Sequence, residues 1–224
     1  MNLLPPLAVA AVLLSWTASA AVFQSDSSLS SPLSIGDPPS SGVALTLEVS
    51  TPATSIDSLG VLLSINSAVS DQAWNGDLYV QLTSPSGTVV VLVNRAGLSL
   101  ADPHAGYGDA GMVLDINDES SNDIHAYQTV AYQLDPNGWL TGSWQSDGRV
   151  NPTSGSRPLR LSNLYGEDPN GTWTLLVSDM STGNRAVIGS WSLYGSAVPE
   201  PVSSTLAGVA LLAGAWWCRR RRAA

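Results

Sequence analysis

Apolar and polar residues alternate strictly along much of the chain. From Val43 to Val49, valine and leucine occupy every second position, and threonine, glutamate and alanine occupy the positions between. A repeat of two predicts β-strands with one buried face. The same alternation recurs at 61–65, 78–82, 89–93, 173–177 and 191–193.

The stretches between these segments are typical of turns. Ser84-Pro85-Ser86-Gly87 separates two of them, and Asp-Pro-Asn-Gly occurs twice, at 135–138 and 168–171. Proline presets the turn geometry, and glycine accepts positive φ. No segment between the two ends sustains the 3.6-residue period of a helix. The pattern predicts an all-β, antiparallel β-sandwich.

Tryptophan supplies most of the large aromatic side chains. The chain has eight tryptophans and one phenylalanine, and five of the tryptophans lie between residues 21 and 197. We therefore expect tryptophans to form much of the aromatic core. The five are Trp74, Trp139, Trp144, Trp173 and Trp191.

The N-terminus has the features of a secretory signal peptide. Residues 3–14 are almost wholly apolar, and Ala18-Ser19-Ala20 is a small-residue cleavage site. We predict a signal peptide over 1–20 with cleavage set by Ala18 and Ala20; an N-terminal membrane anchor is the alternative. Residues 21–41 are rich in serine and proline, which predicts a linker or arm.

The C-terminus has three parts in order. A Val-Pro-Glu-Pro segment is followed by an apolar run, 202–218, which is at the lower length limit for a transmembrane helix. Four arginines then place this end in the cytoplasm. A plain single-span anchor accounts for these features. The flanking residues are Val198, Pro199, Glu200, Pro201, Arg219, Arg220, Arg221 and Arg222.

The same residues, 198–222, resemble the PEP-CTERM sorting signal of Gram-negative bacteria. That resemblance implies recognition by an exosortase, which is thought to cleave near Pro-Glu-Pro. The protein would then be exported, anchored in the inner membrane through the C-terminal helix, and moved to the cell surface or the exterior after processing. The PEP-CTERM family often occurs in bacteria that make extracellular polysaccharide, so the resemblance also implies a source of that kind.

Three separated blocks carry a second resemblance. The first is 75–88, with Gly-Asp-Leu and Ser-Pro-Ser-Gly-Thr; the second is 165–179, with Gly-Thr-Trp-Thr-Leu-Leu-Val-Ser-Asp; the third is Gly-Ser-Trp-Ser-Leu at 189–193. Together they resemble the P domain, or P/Homo B domain, of proprotein convertases. The resemblance covers about 42–196 and implies a jelly-roll sandwich of about eight strands. In that family the P domain is not catalytic and packs on a subtilisin-like protease, which we do not find in this chain.

Charge limits the class of partner. Residues 21–197 contain five arginines, no lysine and 17 acidic residues, a net charge of −12. Such a surface repels nucleic acid and favours cations or neutral and basic partners, although solubility alone also accounts for it. The one cysteine, Cys218, lies in the tail, so this region has no disulfide and no thiol nucleophile.

The sequence does not predict a hydrolase. The only histidines are His104 and His125, and neither lies in a motif with a nucleophile, so we expect both to be structural. Carboxylates crowd residues 109–123, and hard oxygen ligands suit Ca²⁺, although a solvated acidic loop accounts equally for them. The candidate calcium ligands are Asp77, Asp109, Asp115, Asp118, Glu119 and Asp179.

These observations predict a non-catalytic, exported binding or structural module that is sorted to the cell envelope or exterior by an exosortase-type system. The alternative is a component of subtilisin-like proteolysis that acts with a separate protease. Candidate partners are extracellular polysaccharide, an envelope protein or a protease in trans. Exposed aromatic residues near the acidic stretch would favour a sugar site.

Overall fold

The computed structural model describes residues 20–27, 29, 31–36, 38, 42–67 and 73–198. Most of the predicted signal peptide, including Ala18, lies outside the described residues. So do residues 199–222, with the proposed transmembrane helix and the arginines. In the described part of the chain, no helix combines the length and the apolar character needed to cross a membrane.

Eleven strands form two sheets in the described residues. The larger sheet has the order β1-β11-β4-β7-β9-β8, with β2 also paired to β11, and the smaller sheet has the order β3-β10-β5-β6. The strands are β1 (Ala21–Asp26), β2 (Leu33–Ser34), β3 (Val43–Val49), β4 (Ser55–Ser67), β5 (Leu78–Thr83), β6 (Val89–Asn94), β7 (Met112–Asn117), β8 (Gln133–Leu134), β9 (Leu140–Trp144), β10 (Gly171–Asp179) and β11 (Ala186–Val198). Three short 3₁₀ helices complete it: Asn75–Asp77, Ile124–Thr129 and Leu161–Leu164.

The alternation places one face of each strand, except the two-residue strands β2 and β8, in a single core between the sheets. Leu78, Val80 and Leu82 of β5 are fully buried, and Leu175 and Val177 of β10 lie against the same core. Every alternating segment is a strand, so the prediction of an all-β sandwich is confirmed at that level. Hydrophobic burial on this scale is the main stabilising term in a fold of this kind.

Three of the five tryptophans belong to this core. Trp173 and Trp191 are almost completely buried, and Trp144 is 4 % exposed. Trp74 and Trp139 are only half-buried. A tyrosine that the pattern did not single out, Tyr127, is as deeply buried as Trp173.

One strand pair departs from the predicted antiparallel arrangement. β7 pairs with β9 in parallel, from Met112 opposite Leu140 to Ile116 opposite Trp144. Parallel pairing needs a long crossover. The connection here contains a 3₁₀ helix and β8, which turns back into β9 at Asp135-Pro-Asn-Gly. The expectation of purely antiparallel sheets is therefore wrong for this pair.

The predicted linker over 21–41 also differs from the structure. Residues 21–26 form β1, which pairs antiparallel with β11 over six positions, and Leu33 and Ser34 pair with the same strand. Phe23 lies against Gly195 and is buried. Ile35 is also completely buried, so the segment is attached to the sandwich by two strand pairings and two buried side chains and is not a free linker.

The turn predicted at 135–138 is confirmed, whereas 168–170 is extended chain that leads directly into β10 at Gly171. Asp135 accepts hydrogen bonds from the backbone of Asn137 and Trp139, and Asp168 accepts one from the backbone of Asn170. These local bonds satisfy backbone groups that would otherwise need water.

Glu167 joins the two turns that flank β5 and β10. Its carboxylate accepts hydrogen bonds from the hydroxyls of Ser84, Ser86 and Thr88, which belong to the Ser-Pro-Ser-Gly-Thr segment. Burial by itself raises the pKa of Glu167, but these three bonds outweigh it, so the pKa lies below its ordinary value. A group with a lowered pKa stabilises the fold above its unfolded pKa, and the contribution is lost as pH falls through the folded value.

We expect Glu167→Gln to lower the melting temperature by about 3 °C at pH 7, because an amide accepts these bonds more weakly than a carboxylate. The difference from the wild type should shrink as pH falls below 4.5, since the wild-type carboxyl is then protonated. Thermal unfolding of both proteins between pH 3 and pH 7 measures this. Glu119→Gln is the control, because Glu119 is exposed and should leave the melting temperature unchanged. A constant difference at all pH values would contradict the prediction.

Candidate functional site

The outer face of the larger sheet carries a polar groove. Apart from Leu59, which faces the core, the residues of β4, β7, β9 and β11 that line it point away from the core. The chain that follows β7 completes the lining, and the groove has a volume of about 370 Å³. Two of the candidate calcium ligands, Asp115 and Glu119, lie in it. The lining residues are Ser58, Leu59, Asp115, Asn117, Glu119, Ser120, Ser143 and Tyr194.

Strand register brings these residues together. In β4 and β11, Leu59 and Leu193 face the core, so Ser58 and Tyr194 face outward. In β7 and β9, Asp115 lies directly opposite Ser143. Because successive side chains on a strand point to opposite faces, burial of the inner set determines the outer set.

The side chain of Tyr194 lies over Gly60 of β4. Gly60 is its register partner, and a Cβ built on Gly60 would lie 2.2 Å from Cζ of the tyrosine ring. The ring therefore occupies the space that any other side chain at position 60 would fill. Its hydroxyl donates a 2.5 Å hydrogen bond to Oδ1 of Asp115. Burial raises the pKa of Tyr194, and the Asp115 carboxylate raises it further, so the hydroxyl keeps its proton.

A hydrogen-bond network forms the floor beside this ring. Asn117 Nδ2 donates to Ser143 Oγ at 2.8 Å, and Ser120 Oγ lies 2.6 Å from the same oxygen. Asn117 Oδ1 accepts from the backbone N–H of Ser120 at 2.9 Å. The hydroxyls and the amide are thus held in place before any ligand arrives.

The groove is acidic. Asp115 and Glu119 line it, and none of the described lining residues is basic. Asp115 uses one oxygen for Tyr194, and its other oxygen has only a 3.4 Å contact with Ser143. In the described part of the chain the Glu119 carboxylate makes no hydrogen bond or ion pair. The groove therefore offers several unused acceptor positions beside fixed donors.

The other candidate calcium ligands lie elsewhere. Asp77 forms a 3.5 Å ion pair with Arg95, and Asp179 lies one register position away, opposite Leu78. The two carboxylates are therefore neighbours at one end of the smaller sheet, away from the groove. Burial raises the pKa of Asp77, although Arg95 acts in the opposite direction.

The remaining two carboxylates bind neighbouring protein groups. Asp109 accepts hydrogen bonds from the Tyr127 hydroxyl and the Gln128 amide. Asp118 accepts from the Ser146 hydroxyl and the Ser162 backbone, at 2.9 and 2.8 Å. Among the described residues no group of three or more acidic, histidine or cysteine side chains is placed to hold one metal ion. The six predicted ligands do not form one site, and calcium binding stays a prediction.

A buried ionic cluster surrounds His125. Its Nδ1 lies 2.8 Å from Asp147 Oδ2, and its Nε2 lies 2.8 Å from the carbonyl oxygen of Leu98. A carbonyl oxygen can only accept, so Nε2 carries a proton; Nδ1 donates to the carboxylate. Asp147 is completely buried and also pairs with Arg149, which reaches Asp123 at 2.7 Å.

The charged groups of this cluster bind one another and the backbone of Leu98. Burial by itself lowers the pKa of His125, but the hydrogen bond and charge of Asp147 and the Leu98 carbonyl outweigh burial and the nearby Arg149, so the pKa is raised. His104, in contrast, is exposed in a loop, where its backbone N–H donates to Asp102. The expectation that His125 is bonded to its neighbours matches this geometry.

Sequence reasoning found the two carboxylates of the groove and missed its other residues. Tyr194, Ser58 and Ser143 are distant in the chain, and no motif links them. The available signal was the alternation of β11: Trp191 and Leu193 are inward, so Tyr194 must be outward.

Comparisons with known proteins do not assign a family. No protein-family model matches the chain, and no curated protein matches it. The solved structures that are similar at a low level include the serine protease of Aeromonas sobria, the complex of that protease with the chaperone ORF2, and PfGH50B.

The extent of each similarity is small. The identities are 18 %, 18 % and 11 %, over 79 %, 80 % and 83 % of this chain, with TM-scores of 0.41, 0.40 and 0.31. The match covers 26 %, 26 % and 24 % of those chains, so this chain spans about a quarter of their length. Similarity at these TM-scores identifies neither a family nor an activity.

We expect the contribution of His125 to stability to fall as pH rises. Its folded pKa is above the ordinary value of 6.5, so the stabilisation is complete below about pH 6.5 and is lost as pH rises through the folded pKa. His125→Asn should cost about 3 kcal/mol at pH 6, because it removes one of the two cationic partners of the buried Asp147 carboxylate and leaves only Arg149. The variant should also show a smaller change in the free energy of unfolding between pH 6 and pH 9 than the wild type, as measured by denaturant unfolding.

His104→Asn is the matched control for this measurement. That histidine is exposed, so the variant should keep the wild-type stability and its pH dependence. A wild-type protein that becomes more stable from pH 6 to pH 9 through His125 would contradict the assignment of an imidazolium.

Proposed function

We propose that this protein is a non-catalytic binding or structural module that works outside the cytoplasm. The observation that carries the proposal is the engagement of His125. A histidine that serves as a general base needs one ring nitrogen free to accept a proton from a nucleophile or water. Both ring nitrogens of His125 are used, one by Asp147 and one by the Leu98 carbonyl.

The finer part of the proposal is a jelly-roll sandwich of the P-domain type. It is supported by the positions of the three blocks that resemble the P domain. The first and second blocks contain β5 and β10, which are adjacent in the smaller sheet, and the third block lies in β11. Glu167 of the second block binds the hydroxyls of the first, so these two blocks interact directly.

We further propose that an exosortase-type system sorts the protein to the envelope or exterior. This rests on the resemblance of 198–222 to the PEP-CTERM signal. Val198 is the last residue of β11, and it pairs with Ser55, the first residue of β4, at one end of these two strands. Processing just after this strand would leave every pairing of the sandwich intact.

The alternative function is cooperation with a separate subtilisin-like protease. It rests on the same resemblance, because the P domains of convertases pack on such a protease. Addition of the purified full chain to an envelope subtilisin-like protease tests it: a higher melting temperature or refolding yield of the protease would favour this alternative. The protease alone and the protease with serum albumin are the controls.

Sorting is tested by changing Pro199, Glu200 and Pro201 together to alanine in a Gram-negative host that carries an exosortase. The wild type should give a shortened form outside the inner membrane, and the variant should stay full-length in the inner-membrane fraction. Cell fractionation with intact-mass analysis measures both. Ser203→Ala with Ser204→Ala changes the same region outside the motif and should behave as the wild type. A shortened form in the triple alanine variant would contradict exosortase recognition.

The purified full chain should not hydrolyse fluorogenic peptides above the rate of buffer. The physical reason is that His125 has no free ring nitrogen and His104 lies in an exposed loop. Continuous fluorescence assays between pH 6 and pH 9 measure this. Turnover that His104→Asn abolishes would overturn the non-catalytic proposal.

A further inference from the structure

The groove on the outer face of the larger sheet has the size of a small-ligand site. Ligand pockets commonly have volumes of about 300–1,000 Å³, and this groove, at about 370 Å³, is at the lower end of that range. The space suits a short segment of a chain molecule that lies along the face.

The charge of the groove selects the class of ligand. Asp115 and Glu119 are its ionisable acids, and no described lining residue is basic. A groove of this sign repels phosphates, sulfates and uronic acids. The ligand must therefore be neutral or cationic.

The polar groups of the groove distinguish between a neutral polar ligand and a cationic one. Three serine hydroxyls and the Asn117 amide lie beside two carboxylates. Ser58 is bonded to Ser196, and Ser120, Ser143 and Asn117 are bonded to one another, so each keeps only part of its hydrogen-bonding capacity for a ligand. A cationic ligand would need only the carboxylates. A sugar hydroxyl both donates and accepts, and it can use the hydroxyls, the amide and the carboxylates together.

The aromatic ring completes the pattern. Tyr194 is held against Gly60 and by its hydrogen bond to Asp115, so its orientation is fixed in the absence of a ligand. Fixed aromatic rings contribute large contact areas with little loss of side-chain entropy. The C–H groups of a sugar ring can pack on such a ring while its hydroxyls reach the polar floor.

We propose that this groove binds a neutral glycan, with Tyr194 as the packing surface and Asp115, Glu119 and Ser143 as hydrogen-bonding groups. The proposal deepens the binding function proposed above and rests on it. Neutral sugars of a polysaccharide and of a glycoprotein share this chemistry. The groove is at the lower end of the size range of ligand sites, so a polysaccharide would be bound through a short segment of its chain.

Affinity electrophoresis of the full chain in detergent tests the proposal, with gels that contain dextran, mixed-linkage β-glucan, galactomannan or alginate. We expect at least one neutral polymer to retard the wild type and alginate to have no effect. A neutral glycoprotein, tested as an immobilised ligand, distinguishes the two sources. Retardation by alginate alone, or by no neutral glycan while the protein melts normally, would overturn the proposal.

Variants identify the groove. Tyr194→Ala and Glu119→Gln should each weaken binding about 10-fold, the scale of one lost packing surface or one hydrogen bond to a charged group. Glu119 is exposed and has no partner in the described residues, so its variant tests the groove without a folding defect. Tyr132→Ala and Asp102→Asn remove a tyrosine and a carboxylate outside the groove and should bind as the wild type. If Glu119→Gln and Tyr194→Ala both bind the glycan as tightly as the wild type, the ligand binds elsewhere on the protein.

Two further readouts separate this proposal from the others. If EDTA lowers the melting temperature and Glu119→Gln abolishes that effect while no glycan binds, the groove is a cation site and the glycan proposal fails. If a glycan binds and new reducing ends appear, the groove assignment stands and the non-catalytic proposal fails. If sorting occurs normally and no neutral glycan binds, the proposed function stands and the glycan proposal fails.

Discussion

The two-residue repeat of a strand that is buried on one side is the constraint on which this structure depends. β4 is the clearest case, because it lies between β11 and β7 and carries Leu59, Val61 and Leu63 in the core. Once those side chains are buried, Ser58 and Gly60 must lie on the outer face. The same requirement on β11 turns Tyr194 outward, over the one position in β4 that has no side chain to obstruct it.

Polar residues in the loops are used mainly to organise the backbone. The long connection between β7 and β9 is held by the ionic cluster of Asp123, His125, Asp147 and Arg149, in which opposite charges alternate. Buried charges of this kind are stable only when each has a partner. Together with Tyr127, which contacts Tyr107 and Tyr132 edge-on, they hold this connection without a disulfide.

The groove and the start of the sorting segment are on the same strand. Tyr194 precedes Val198, the last residue of β11, by four positions, which is about 13 Å along a strand. A ligand in the groove would therefore lie close to the point where the chain leaves the sandwich. This arrangement links a binding face directly to the segment that, by our proposal, delivers the protein to the envelope.

The sequence by itself determined the all-β sandwich, because alternation and turn residues such as Asp135-Pro-Asn-Gly138 are local properties that need no tertiary context. It also located the acidic residues of 109–123. It did not reveal that 112–117 is a strand, since a strand with Asp115 and Asn117 facing outward has the composition of an acidic loop.

Only the tertiary structure decided which groups the carboxylates meet. Arg95, Tyr127 and Arg160 pair with three of them. The register of β7 with β9 and of β4 with β11 brings Asp115 to Ser143 and Tyr194. The reason is physical, because a contact such as that between Asp115 and Tyr194, 79 positions apart, depends on strand register, and register is a property of the packed sheets and not of any one segment.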